Sequence, residues 1–246
     1  MKRLAVFASG NGSNYEAIAT ACVNHELDAE VVLLVVDKPG AYVLQRAEKF
    51  GTPALSFSPK EYASKSDYET IIADRMDELK VDLVCLAGYM RIIGDVLLSR
   101  YGGRIINIHP SLLPAFRGAH AVEQAVEYGV KVYGITIHWV DATLDGGKII
   151  AQRAFEYDGN DPEEVHRLGQ VIEHQFYVET IKKEGKFDKE AQQKALEMCL
   201  LKIKSQCAPE LLDYIGHNFG DVTDYLKSLI ESTIYSLKTA NKSECK

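Results

Sequence analysis

Asn107 and His109 lie two residues apart at the end of the apolar run Arg104–Ile108, and Pro110 closes that run. Side chains two apart on a strand share a face, and proline cannot continue a sheet ladder. The pair would therefore reach one point at the carboxyl edge of a sheet, where open α/β sheets hold their ligands. An amide donor beside an imidazole suits the stabilisation of an oxyanion together with movement of a proton. An Asn and a His that merely end a strand would look the same. Asp145 adds a third group, in the turn Leu144-Asp145-Gly146-Gly147. Turn aspartates are common. Folded over the sheet edge, this one would hydrogen-bond His109, orient its ring and favour its charged form. With no Ser or Cys nucleophile arranged beside them, these groups suit direct acyl transfer between two bound substrates rather than covalent catalysis. Ser111 is near His109, but the G-x-S-x-G elbow of serine hydrolases is missing.

A second constellation is Ser9-Gly10-Asn11-Gly12-Ser13-Asn14, between the first strand-like run and the first helical stretch. Glycines there let the backbone approach a ligand, and the helix N-terminus offers unpaired N–H groups and a positive dipole end. A phosphate suits that loop; a tight turn capped by Ser13 or Asn14 is the plain alternative. The dinucleotide fingerprint would need glycine where Tyr15 stands. Asp37, after the second run, only imitates its ribose-binding acid.

These groups need elements to position them. Short β-rich runs at Leu4–Ala8, Val31–Val36, Ala54–Phe57, Asp82–Ala87 and Arg104–Ile108 alternate with helical stretches near 14–24, 41–50, 66–79 and 92–101. Several runs are apolar on both faces, as in parallel strands covered by helices. The order predicts an α/β fold, a mostly parallel twisted sheet with helices on both faces and right-handed crossovers. Val132–Val140 and Lys148–Phe155 read as a hairpin-like pair around the Asp145 turn. Asp161 and Pro162 suit the N-cap and first position of a helix reaching about Lys183. After Gly185 strand-like runs vanish. Val222, Tyr225, Leu226, Leu229, Ile230, Ile234 and Leu237 form one helical stripe. Residues 1–185 are therefore expected as one domain and 186–246 as a helical appendage, its stripe packing on the domain or on a second subunit.

The 246 residues carry 28 basic and 35 acidic side chains, a net charge of −7, with 46% hydrophobic and 26% charged residues. That composition suits a folded chain. Its acidity argues against a general nucleic-acid or membrane-surface binder while leaving room for a local basic pocket. The cysteines, Cys22, Cys85, Cys199, Cys207 and Cys245, form no C-x-x-C pair; free thiols in a reducing compartment are expected, and no zinc cluster. The N-terminal apolar run of about five residues is too short for a signal peptide or membrane span, so a cytoplasmic location is expected.

Several segments together resemble one family. They are Gly10-Asn11-Gly12-Ser13-Asn14, Ala87-Gly88-Tyr89-Met90-Arg91-Ile92, Asn107-Ile108-His109-Pro110-Ser111-Leu112-Leu113-Pro114, Phe116-Arg117-Gly118, Gly134-Ile135-Thr136-Ile137-His138 and Leu144-Asp145-Gly146-Gly147. Over about residues 1–183 the chain is similar to the folate-dependent phosphoribosylglycinamide formyltransferases, whose fold is Rossmann-like. The Asn/His/Asp set is shared with methionyl-tRNA formyltransferases and formyltetrahydrofolate deformylases. The early glycine loop, the absence of a segment ahead of it and a helical tail in an acidic chain favour the first.

The resemblance implies the following roles. Asn107, His109 and Asp145 would be catalytic. Gly12, Ser13, Asn14, Gln170 and Glu173 would hold glycinamide ribonucleotide, the glycine loop taking its phosphate and Glu173 its ribose hydroxyls or glycinamide. Lys65, Met90, Arg91, Ile92, Ile93 and Asn107, with the loop Asp141, Ala142, Thr143 and Leu144, would bind 10-formyltetrahydrofolate, the co-substrate. No metal is implied. Ser111–Phe116 and Arg117-Gly118-Ala119 would form a mobile flap over the site. Small-molecule substrates, no nucleic acid, no membrane and a homodimer through the tail are the expected partners. Another folate-dependent formyltransferase or a deformylase is the alternative function.

Overall fold

The computed structural model of the chain describes residues 1–207 and 209–229. In chain order the elements are β1 (Lys2–Ala8), α1 (Ser13–Val23), β2 (Ala29–Val36), α2 (Val43–Phe50), β3 (Ala54–Ser56), α3 (Lys65–Glu78), β4 (Leu83–Leu86), α4 (Asp95–Tyr101), β5 (Ile105–His109), α5 (Ala121–Tyr128), β6 (Val132–Trp139), β7 (Ile149–Glu156), α6 (Pro162–Gln206) and α7 (Pro209–Phe219). Each predicted strand is present. The helix α5 was not expected, because its eight residues are bracketed by left-handed His120 and Gly129 and offer little more than two turns of pattern.

One seven-stranded sheet runs β3-β2-β1-β4-β5-β6-β7. The first five strands pair in parallel, and β6 and β7 antiparallel. Alternating side chains of β1 supply two cores. Leu4, Val6 and Ala8 face Tyr15 and Ile18 of α1, Val43 of α2 and Tyr177 of α6. Ala5 and Phe7 face Tyr68, Ile72 and Met76 of α3 and Leu97 of α4. Burial of each such large side chain contributes about 1.5–3 kcal/mol. The Tyr177 hydroxyl donates to the Leu86 and Ile106 carbonyls, at 3.0 and 3.3 Å, which seats α6 across the middle of the sheet.

Chain order reverses direction between β1 and β4, so the loops after these strands flank a crevice at the carboxyl edge, the usual ligand position in such sheets.

The helix expected to end near Lys183 instead continues to Gln206. No proline or capping glycine interrupts its interior after Pro162, and Gly185 alone costs a helix only about 1 kcal/mol. Packing nevertheless divides the chain into Met1–Lys183 and Glu184–Lys246. Within the second unit Leu200, Ile215 and Leu226 are buried, the Phe219 and Tyr225 rings stack at 4.7 Å, and Lys204 donates to Thr223 at 2.6 Å. Residues 222–229 are helical, with Leu226 buried and Leu229 exposed. Ile230, Ile234 and Leu237 of the predicted stripe lie outside the described residues.

Candidate active site

The two loops at the crevice are tied together. The Ser9 N–H donates to the Gly88 carbonyl at 3.1 Å, and the Ser9 hydroxyl accepts the Met90 N–H at 2.9 Å. The end of β5 lies next to them.

There Asn107 and His109 meet Asp145 from the β6–β7 turn. His109 Nδ1 is 3.5 Å from Asp145 Oδ2, and both side chains are largely buried. His109 Nε2 lies 2.9 Å from the Phe116 carbonyl. The ring thus stands between the Asp145 carboxylate and a backbone carbonyl. Asp145 adopts a left-handed backbone conformation, φ 46°, and its Oδ2 accepts the Gly118 N–H at 2.7 Å. The neighbouring His138 ring above all, with help from the Gly118 N–H and the charge of His109, holds the Asp145 carboxyl below its ordinary range against the opposing effect of burial.

His138 is the functional neighbour that sequence reasoning left without a role. Its Nε2 is 3.2 Å from the Asn107 amide nitrogen and 3.7 Å from Asp145 Oδ1. Its Nδ1 donates to the Trp139 carbonyl at 2.9 Å, which fixes the ring. The link exists because His138 is the cross-strand partner of Asn107. That register depends on how β6 docks, and a single strand's pattern does not show it.

The glycine loop forms the other half of the crevice. Gly12 has φ 77°, and a Cβ there would overlap the Val43 side chain, so both conformation and space demand glycine. Gln170 Nε2 donates to the Ser13 hydroxyl at 2.9 Å, and Asn14 Nδ2 donates to Glu173 at 2.8 Å. The structure therefore brings together Gly12, Ser13, Asn14, Gln170 and Glu173. Asn14 is buried, yet its Oδ1 has no hydrogen-bond partner among the described residues, an acceptor left for a polar guest. Arg46 braces the loop, donating to the Asn11 carbonyl at 2.9 Å and its side-chain oxygen at 2.8 Å, and pairing with Glu16.

Across the crevice, Met90 and Ile92 are 71% and 61% exposed, and Leu144 of the 141–145 loop is 52% exposed. Large apolar side chains left open beside a polar site mark a place for a flat apolar guest. Ile93, expected to line that pocket, instead turns inward into the core with Phe7 and Leu97; the inward position completes packing between α3 and α4. Arg91 does not stand free: its Nε donates to Asp37 at 2.7 Å. Asp37 is thereby committed, and its likeness to a ribose-binding acid ends there. Lys65 begins α3, with its Nζ 3.9 Å from Glu69. Asp141 accepts the Thr143 N–H at 2.8 Å and also its hydroxyl, which shapes the exposed loop around Ala142.

The segment expected as a mobile flap is tethered at its base. Leu113 is buried; its N–H donates to Thr136 Oγ1 at 3.0 Å, and its carbonyl accepts Gln152 at 2.9 Å. Thr136 in turn donates to the Ser111 carbonyl at 2.7 Å. Apolar composition suggested a lid, but β6 and β7 supply the partners that hold its first half down. Only the part from Phe116 to Gly118 reaches over His109 and Asp145.

Among the described residues no group of three or more His, Cys, Asp and Glu side chains is placed to hold a metal ion.

The chain is also similar to proteins already known. Residues 2–181 match the family described as formyl transferase. The chain is 53% identical over 183 residues to phosphoribosylglycinamide formyltransferase of Bacillus subtilis, covering 74% of this chain and 94% of that protein. It is 36% identical over 183 residues to the Haemophilus influenzae protein of the same name, covering 74% and 86%. The crystal structure of phosphoribosylglycinamide formyltransferase from Bacillus halodurans superimposes with a TM-score of 0.72 at 48% identity, covering 74% of this chain and 94% of that one.

Proposed function

The chain belongs to the formyl transferase family, and from that premise we propose that the crevice at the carboxyl edge carries its chemistry. The enzyme transfers the formyl group of 10-formyltetrahydrofolate to the amine of glycinamide ribonucleotide, a step of purine biosynthesis. The observation that carries the site assignment is the meeting of His109, Asp145, His138 and Asn107 from two strands and a turn, within 3.7 Å from one group to the next.

Glycinamide ribonucleotide occupies the glycine-loop half. Its phosphate meets the N–H groups at the start of α1, and Glu173 and Asn14 take its ribose hydroxyls or glycinamide. The pterin lies against Met90, Ile92 and Leu144. The amine nitrogen attacks the formyl carbon; a C–N bond forms and the formyl oxygen takes the negative charge. Asn107 and His109 donate to that oxygen, a contribution of about 3–4 kcal/mol per donor in sites of this kind. Asp145 orients the His109 ring, and His138 orients both Asn107 and Asp145. The C–N10 bond then breaks, and the proton lost by the amine goes to N10. The Phe116 carbonyl lies against His109 Nε2, so the formyl oxygen takes its place there and the 116–118 segment moves aside.

We assign residues 1–185 to this catalysis and 186–246 to stability or assembly, a homodimer through the tail being the form that assembly takes. A cytoplasmic location suits the free Cys22, Cys85 and Cys207; among the described residues no helix is long and apolar enough to cross a membrane.

A competition assay tests the reading: 10-formyltetrahydrofolate is offered with glycinamide ribonucleotide, methionyl-tRNA or water as acceptor. Transfer to the ribonucleotide is expected to dominate; hydrolysis exceeding transfer would support a deformylase instead. His109→Ala and Asp145→Ala should each lower kcat by about 100-fold or more while both substrates still bind. Near-normal turnover in either variant would remove that residue from the catalytic set.

A further inference from the structure

Among the described residues nine polar side chains are buried; Thr180 serves its own helix, and Ser9, Asn14, Asp37, Glu69, His109, Ser111, Thr136 and His138 lie around the crevice and the segments beside it. The mechanism uses three of these, Asn14, His109 and His138, and Ser111 and Thr136 hold the base of the 111–116 segment. Ser9, Asp37 and Glu69 converge on one short stretch, Met90 to Gly94, which has no regular secondary structure to stabilise it.

The stretch is held at every second point or closer. Ser9 accepts the Met90 N–H at 2.9 Å. Asp37, at the end of β2, takes the Arg91 Nε–H at 2.7 Å. Ile93 is buried in the core. Glu69, from the middle of α3, accepts the Gly94 N–H at 2.7 Å. A Cβ on Gly94 would come within 2.6 and 2.8 Å of the two Glu69 carboxylate oxygens, so only glycine lets the carboxylate reach that N–H. The Asp37 side chain is 1% exposed and that of Arg91 39%, and Asp37 Oδ1 has no other partner among the described residues. A buried carboxylate with one cation as its counter-charge holds that cation firmly, because its loss leaves the charge uncompensated. Between these anchors the apolar side chains of Met90 and Ile92 stand open.

We propose that Asp37 and Glu69 are positioning residues for the folate: two buried carboxylates, from different elements on either side of the loop, hold 90–94 in the form that receives the pterin before it arrives. This inference rests on the reading of 90–94 as the folate loop. Without the anchors the loop samples other forms, and ordering it on binding weakens affinity for that substrate alone. The ribonucleotide half, on the far side of Ser9, keeps its own bracing through Arg46 and Glu173.

The test uses the full chain. With 10-formyltetrahydrofolate varied at saturating glycinamide ribonucleotide, Asp37→Ala and Glu69→Ala should each raise the folate KM about tenfold, the size expected for loss of a hydrogen bond to a charged group. The ribonucleotide KM should stay within about twofold. Glu69→Gln, which keeps an acceptor for the Gly94 N–H, should recover most of the loss; Asp37→Asn, which keeps an acceptor and loses the charge, should recover part. Amide hydrogen exchange across 88–95 in the ligand-free chain should quicken in the Ala variants. A rise of both KM values together, or an unchanged folate KM in folded Ala variants, overturns the proposal. Should the Ala variants not fold, a wild-type folate KM in Asp37→Asn together with unchanged exchange overturns it equally. Failure of the folate reading itself would look different, since the unaltered enzyme would then show no saturable dependence on the folate.

Discussion

Asp145 holds its charge where the neighbouring His138 ring, the Gly118 N–H and the charge of His109 outweigh burial. A carboxyl held below its unfolded value stabilises the fold at pH above that value, and the benefit is lost as pH falls through the depressed folded value. The stability difference between the wild-type chain and Asp145→Asn should therefore be full at neutral pH and shrink below about pH 4, the ordinary aspartate range. Thermal melts across that range measure it. A difference that stays flat into acid would show that the charge contributes nothing. At this scale the reading from the chain went far. The same-face spacing of Asn107 and His109 needs only strand periodicity, and Asp145 needs only a turn that folds back. His138 escaped because its role comes from pairing with Asn107 across β5 and β6. The partner of Arg91 was hidden for a similar reason: Asp37 lies 54 positions earlier, and nothing local joins them.

The glycine loop, α1 and α2 pack as one unit, the one to which the phosphate is assigned. Val43 N–H donates to the Gly10 carbonyl at 3.1 Å, and the Val43 side chain closes on Gly12. Gly12→Ala forces a side chain into a left-handed position that is also filled. It should cost about 1–3 kcal/mol of stability and raise the ribonucleotide KM about tenfold, with the folate KM little altered. Chemical denaturation and steady-state kinetics check the two parts, and an unchanged ribonucleotide KM would detach this loop from the phosphate. Element type was legible because apolar runs of period two and amphipathic stretches follow one another cleanly. Element ends were less so. The short α5 hid between left-handed residues, and α6 ran beyond Lys183 because no local stop signal ends it. The 111–116 segment looked like a lid in isolation, and only the hydroxyl of Thr136 and the amide of Gln152, on strands that come later in the chain, reveal it as anchored.

For the molecule as a whole, the family match ends at residue 181 and the first packed unit at Lys183. Removing 186–246 should leave kcat within about threefold while lowering stability or changing the oligomeric state. Turnover, thermal melting and sedimentation read these separately. A truncated chain that stays folded with unchanged assembly yet is inactive would place the tail in the chemistry. Alternation of strand and helix, the parallel sheet, the carboxyl-edge location of the polar pairs and the glycine demand at position 12 were all determined by the linear chain, since each follows from local periodicity, backbone freedom or the direction of a strand. Which polar groups meet was decided only by the tertiary structure. The Asn107–His138, Arg91–Asp37 and Gly94–Glu69 contacts depend on strand register and on how α3 docks. Those relations bring together residues 25 to 54 positions apart. They are selected by total burial and hydrogen-bond satisfaction across the sheet, quantities that no single segment carries.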